Sequence, residues 1–324
     1  MAHKPGSHEL NAAAARDADS VTYGVDNNAT SAAHSDFSSA WLSLRESADH
    51  RARDRHALVT QALAPFFDQK PHKPLEIVDL GCGSGSNLRY LAGRLERPQH
   101  WHLLDQDAAL LERARQSPLD ARVKALNACR VDLADLSSAL SPLKGVHPDL
   151  VSASALLDLV SERWLSCLAD ECRDRGSAVL LALSINGDNT IEVEPQAQTR
   201  ALRALDDEVQ RLIARHQRRD KGFDGALGTE APTRAAALFA ERGFEVSCAD
   251  APWQLDSRHV DEAALIRALL KGWCESACEE EKSRREALES WYQKRLAAVA
   301  QGALRLRVGH TDLFAQPMAS DRRA

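Results

Sequence analysis

Leu75-Glu-Ile-Val-Asp79-Leu-Gly81-Cys-Gly83-Ser-Gly85-Ser-Asn87 is the stretch that decides the fold. Leu75–Leu80 is a short apolar, β-branched run that reads as a strand, and three glycines at alternate positions follow it at once. Without a Cβ the backbone turns tightly there and approaches a ligand closely. Asn87–Leu95 then reads as a helix, whose N-terminus offers unpaired N–H groups behind the glycines. Beyond it, Asp105 ends the strand His100–Asp105, where a carboxylate suits two ribose hydroxyls. Strand, glycine turn, helix, strand and acid together describe a site for a nucleoside-containing cofactor.

The spacing separates the candidates. A dinucleotide fingerprint is GxGxxG, whereas position 86 is Ser and the pattern here is GxGxG followed by Asn87. A P-loop is excluded because no Gly-Lys-Ser/Thr follows. An ordinary tight turn with no ligand is the plain structural alternative. With Asp79 two residues before the first glycine, the pattern closely resembles motif I of class I S-adenosylmethionine-dependent methyltransferases, and the resemblance runs over roughly Leu75–Ser184. It implies that Asp79, Gly81, Gly83, Gly85 and Asp105 hold S-adenosyl-L-methionine, with Asp105 as the ribose-binding acid. Arg130-Val131-Asp132-Leu133 resembles the segment whose acid contacts the adenine amine, which brings Asp132 and Leu133 into the cofactor set. Ser152, after the fourth strand, and Arg45, on an N-terminal helix folded over the cofactor carboxylate, complete it. For Arg45 an intrahelical pair with Asp49 is the alternative.

Outward from this unit the chain alternates. Asp107–Arg115 reads as a helix, Ala128–Val131 and Asp149–Ala153 as strands, Ser161–Arg175 as a helix closed by Gly176, and Ser177–Ser184 as a nearly all-apolar strand. Such alternation implies an α/β parallel sheet with helices on both faces. The second half adds a long helix at Gln196–Arg219, a glycine-punctuated loop at Gly222–Gly228, a helix at Thr233–Arg242 and a strand at Phe244–Asp250. Val260–Ala300 reads as one helical insertion, and Ala303–Val308 as the final strand, antiparallel at or near an edge. The expectation is a Rossmann-like, seven-stranded, mostly parallel sheet with an N-terminal helix and a helical insertion before the last strand. Residues 1–36 read as a disordered tail, 37–318 as the methyltransferase domain with lid elements about 37–68, 196–230 and 258–300, and 319–324 as a second tail.

Composition bounds the rest. The chain has 324 residues, is 44% hydrophobic and carries a net charge of −6, which argues against a nucleic-acid partner. No apolar run approaches the ~20 residues needed to span a bilayer, and no secretory signal opens the chain. The seven cysteines form no CxxC pair, so they are expected as free thiols in a reducing cytoplasm, with no metal site. The helical insertion is long enough to line the acceptor site or to make a homodimer interface.

Methyl transfer is an in-line displacement at a sulfonium carbon, so holding the nucleophile in line matters most, with a base only where a proton must leave. Ser152–Asp158 lacks the Asn/Asp-Pro-Pro-Tyr signature for planar amino groups, and the chain has no Pro-Cys pair of the kind used on cytosine carbon. With the acidic charge, these absences point to an O, N or S atom of a small-molecule acceptor. Asp158, in the apolar run Leu156–Val160, is a candidate base; a helix N-cap is its structural alternative. His216 and Asp220 lie at i,i+4 beside the glycine loop and are further catalytic candidates, with a solvated helix end as the alternative. His310 and the Cys274/Cys278 pair read as structural. Two other functions stand beside this one: an NAD-dependent oxidoreductase, and a non-catalytic scaffold or sensor that keeps the cofactor fold.

Overall fold

The computed structural model describes residues 39–69, 72–131, 143 and 146–318. The expected tails, and Asp132 and Leu133 of the expected cofactor set, lie outside the described residues. The central sheet comprises β1 (Leu75–Leu80), β2 (Gln99–Asp105), β3 (Val123–Arg130), β4 (Leu150–Ser154), β5 (Ala178–Ile185), β7 (Phe244–Asp250) and β10 (His310–Pro317). Their spatial order is β3-β2-β1-β4-β5-β10-β7. β1 to β5 pair in parallel, and β10 runs antiparallel to both of its neighbours. A second, three-stranded antiparallel sheet orders β6 (Thr190–Val193), β9 (Leu304–Val308) and β8 (Trp253–Asp256).

Central parallel strands are covered on both faces, which is why β1 and β5 are buried along nearly their whole length rather than alternating. One face packs Val78, Val151 and Leu313 against α5 (Glu162–Arg175) and α7 (Ala231–Glu241) through Trp164, Leu168 and Phe239. The other packs Ile77, Trp101 and Phe314 against α2 (Ala64–Asp68), α3 (Ser86–Ala92) and α4 (Ala108–Gln116). Local chemistry sets the helix limits: Asp107 caps α4, Ser161 caps α5, and Gly176 turns left-handed to end α5.

A further core joins α1 (Ser39–Asp54), α6 (Arg200–Gln217), α8 (Val260–Glu280) and α9 (Arg285–Ala300) to the small sheet through Trp41, Val209, Ile266, Leu270, Trp291 and Leu306. Within it Asp206 accepts from Trp291 Nε1 at 2.8 Å and Arg295 Nε at 2.9 Å. Among the described residues no helix is long and apolar enough to cross a membrane.

One expectation is corrected. Ala303–Val308 does not close the main sheet. β9 is the middle of the small sheet, with Leu304, Leu306 and Val308 turned inward, and β10 takes the last place in the main one. A two-residue alternation fits either sheet, so the pattern alone does not choose. The chain passes from one sheet to the other at Gly309, where an added Cβ would lie 2.2 Å from Asn186 Oδ1. Val260–Ala300 is helical as expected, and divides into α8 and α9. It breaks after Glu280, whose carbonyl accepts from Arg215 of α6 at 2.7 Å. That partner is 65 residues away and satisfies the helix end from outside its own sequence.

Candidate active site

The glycine turn leaves β1 with φ of 63°, 52° and 83° at Gly81, Gly83 and Gly85, a region that L side chains avoid. A Cβ on Gly83 would stand 3.2 Å from Leu42 Cδ1, so glycine here lets α1 lie over the turn. Gly81 N–H donates to the Leu104 carbonyl at 2.8 Å, and Gly83 N–H donates to Asp105 Oδ2 at 2.7 Å. The other Asp105 oxygen accepts from Asp107 N–H at 2.9 Å. Burial raises the Asp105 carboxyl above its ordinary range, against the lowering effect of those N–H groups.

Beneath the turn, Asn87 Nδ2 donates to Asp79 Oδ1 and to Ser152 Oγ, each at 2.7 Å. Arg53 of α1 donates to Asn87 Oδ1 at 2.9 Å, and its guanidinium lies 3.4 Å from Asp312 of β10. His56 stands 3.2 Å from the same Asp312 oxygen, while the other oxygen accepts the Leu183 N–H at 2.7 Å. Burial pushes Asp79 up to about 7, opposed by the Asn87 hydrogen bond and the Arg53 charge. Asp79 Oδ2 is buried without a hydrogen-bond partner, although Asp79 lines the cleft. Ser152 is fully buried and engaged by Asn87, and does not line the cleft.

The cleft runs from Gly81–Ser84 and Asp105–Asp107 to Leu42, Arg45 and Asp49 of α1, Ser154–Leu156 after β4, and Lys221–Phe223. It encloses about 1180 Å³ of empty space, its open mouth included. Ala155 holds a φ of 53° there, a conformation that a non-glycine residue adopts at a price in strain. Arg45 lines the cleft and also pairs with Asp49 at 2.9 Å, so the intrahelical alternative is the geometry observed. The Asp49 carboxylate further accepts from Trp253 Nε1 at 3.0 Å. Asp158 is not among the residues that line the cleft, though its neighbours Leu156 and Leu159 are; burial pushes it up to about 6, against its own backbone N–H and the charges of Arg45 and Lys221.

His216 and Asp220 do not form the pair their spacing suggests. His216 lies 3.4 Å from Glu280 and outside the cleft lining, with its ring held below the ordinary histidine value by burial and by Lys221 and Arg219. Asp220 instead accepts the N–H groups of Gly222, Phe223 and Gly225 at 2.9 to 3.1 Å, which hold its carboxyl below the usual range. Helix α6 ends at Gln217, so residue 220 has left the helical face on which an i,i+4 pair depends. Asp220 thereby shapes the loop that brings Lys221, Gly222 and Phe223 to the cleft. His310 is buried against the Trp253 ring at 4.8 Å, and burial lowers it to about 3. Among the described residues no group of His, Cys, Asp and Glu is arranged to hold a metal ion.

Sequence reasoning gives no individual role to Arg53, Asn87, Lys221 or Phe223. Asn87 stands two residues after Gly85, and Lys221 and Phe223 lie in the loop expected as part of a lid, and those positions are the signals available. Arg53 carries none, because its partners come from α3 and β10. The cradle suits S-adenosylmethionine. The orphaned Asp79 oxygen matches an ammonium donor, the Asp105 carboxylate matches vicinal hydroxyls, and the glycine backbone admits close approach.

Residues 77–175 match a family model described as a methyltransferase domain. No curated protein is similar to the chain in sequence. Among solved structures the chain is similar to the cyclopropane synthase MmaA2 from Mycobacterium tuberculosis, at 14% identity over 88% of this chain and 96% of that one, with a TM-score of 0.43. A cyclopropane-fatty-acyl-phospholipid synthase-like protein from Lactobacillus casei shares 17% identity over 84% and 91%, with a TM-score of 0.44. Phosphoethanolamine N-methyltransferase 2 from Haemonchus contortus, in complex with S-adenosyl-L-methionine, shares 14% over 80% and 52%, with a TM-score of 0.33.

Proposed function

From the premise that residues 77–175 are a class I S-adenosylmethionine-dependent methyltransferase domain, we propose that the chain methylates an O, N or S atom of a small molecule held at the α1 end of the cleft. The reading rests on one observation: the cleft beside the glycine turn is lined further by α1, Ser154–Leu156 and Lys221–Phe223, which leaves room for a second ligand next to the cofactor. A cleft walled by its own helix and loop suits a small acceptor better than a polymer.

S-adenosylmethionine supplies an electrophilic sulfonium methyl when bound. Gly81, Gly83 and Gly85 give the close backbone approach, Asp105 accepts from the ribose hydroxyls, and Asp79 receives the ammonium. Leu156, Leu159 and Phe223 exclude water from the acceptor end. Asp158 lies behind Leu156 and Leu159 of the cleft wall and, where a proton must leave an acceptor O–H, N–H or S–H, would take it through a small movement or a bridging water. With its value lifted to about 6 it is ionised at neutral pH yet more basic than an ordinary carboxylate.

The test is incubation with S-adenosylmethionine and a metabolite extract, followed by mass spectrometry. The expected result is a small-molecule product heavier by one CH2 and absent from a boiled control. Methyl incorporation only into protein or nucleic acid overturns the small-acceptor reading.

A further inference from the structure

The charged groups at the acceptor end are nearly all spoken for. Arg45 pairs with Asp49. Glu280 is held by Arg215 and Arg219, and Glu279 by Arg219 at 3.4 Å. Lys221 lines the cleft half-buried, and its ammonium has neither hydrogen bond nor ion pair within 4 Å among the described residues. The carboxylates of Glu279, Asp158 and Glu280 act on it only from beyond ion-pair distance, which leaves a half-buried ammonium without a direct contact and open to one from a ligand. Its place is also built. Three N–H bonds to Asp220 fix the turn immediately after it, Gly222 and Gly225 take φ of 93° and 109° there, and Arg218 pairs with Glu230 at 2.9 Å just before it. The same cleft is lined by the apolar side chains of Leu156, Leu159 and Phe223.

We propose that the acceptor is an anion with an apolar body, and that its carboxylate or phosphate pairs with Lys221. The apolar body lies on Phe223 and Leu159, and the anion end meets the Lys221 ammonium. The atom to be methylated is thereby turned toward the glycine turn. This rests on the methyltransferase reading of the same cleft. Burial and the Arg219 charge lower the lysine from its ordinary value, against the raising effect of Glu279, Asp158 and Glu280.

The probes are benzoate, phenyl phosphate and the neutral isostere benzamide, titrated calorimetrically into the protein loaded with S-adenosylhomocysteine. One or both anions bind about tenfold more tightly than benzamide, the size of one charge-assisted contact. The stronger anion identifies the acidic group. Lys221→Met removes the preference, Lys221→Arg retains it, and both variants bind S-adenosylhomocysteine as the wild type does. Three results overturn the proposal: benzamide binding as well as the anions, an anion preference that survives Lys221→Met, or neither anion binding the loaded protein. A Lys221→Met variant that loses cofactor affinity and keeps the anion preference assigns the lysine to the cofactor, and overturns it too. If wild type fails to bind S-adenosylhomocysteine, the cofactor reading itself falls and this proposal with it.

Discussion

Asp105 accepts the backbone N–H of Gly83 at 2.7 Å. The acid that ends β2 and the glycine turn that leaves β1 are therefore one unit, and a ligand that meets the carboxylate also meets the turn. Asp105→Ala removes a charge-assisted acceptor and releases the Gly83 N–H. Titration of S-adenosylhomocysteine should show weakening of roughly 1.5–3 kcal/mol, or 10- to 150-fold. Unchanged affinity would remove Asp105 from the ribose role.

Asp158 gives a pH signature. Its folded value of about 6 lies above the ordinary 3.8, so the folded state binds more protons than the unfolded chain. Stability accordingly falls as pH rises from about 4 to about 6, and the loss is complete above that. Asp158→Asn should stabilise the protein at pH 8 by about 1–2 kcal/mol and have no such effect at pH 4; the full two-unit shift is reduced because the carboxylate is partly solvated. Urea midpoints at the two pH values check this, and equal effects at both would refute it.

Asp206 anchors the layer away from the cleft. Asp206→Ala leaves the fully buried Arg295 guanidinium without its carboxylate and the Trp291 N–H without its acceptor. A loss of about 3–5 kcal/mol is expected in urea unfolding. The folded fraction should keep its S-adenosylhomocysteine affinity, because none of these side chains lines the cleft.

Asp220 is exposed, so its removal should leave global stability within about 0.5 kcal/mol. Its effect is local. With Asp220→Ala, hydrogen exchange should accelerate at Gly222, Phe223 and Gly225 while α6 is unchanged. Unaltered exchange at those three amides would assign the loop shape to something else.

The first half of the fold was legible where its strands are largely apolar runs, as in β1, β4 and β5; β3, with Lys124, Asn127 and Arg130 along it, was expected only at its end, as Ala128–Val131, and instead begins at Val123. The second half was less so. TIEV and WQLD are four-residue strands that look like loop, and β9 alternates as an edge strand of either sheet would. The break between α8 and α9 depends on Arg215, which no local pattern announces. At the site, the glycine turn and Asp105 declare themselves through spacing. Asn87, Arg53 and Asp312 become one buried chain only when α1, α3 and β10 are brought together. The His216–Asp220 pairing failed for a similar reason, since the helix ended before the second residue.

The crossing at Gly309 has a mechanical consequence. One uninterrupted run of backbone is the middle strand of the small sheet and then, a single residue later, a strand of the large one. At this crossing a displacement of one sheet is passed through a single residue to the other, so a substitution that shifts β9 is expected to be felt in β10.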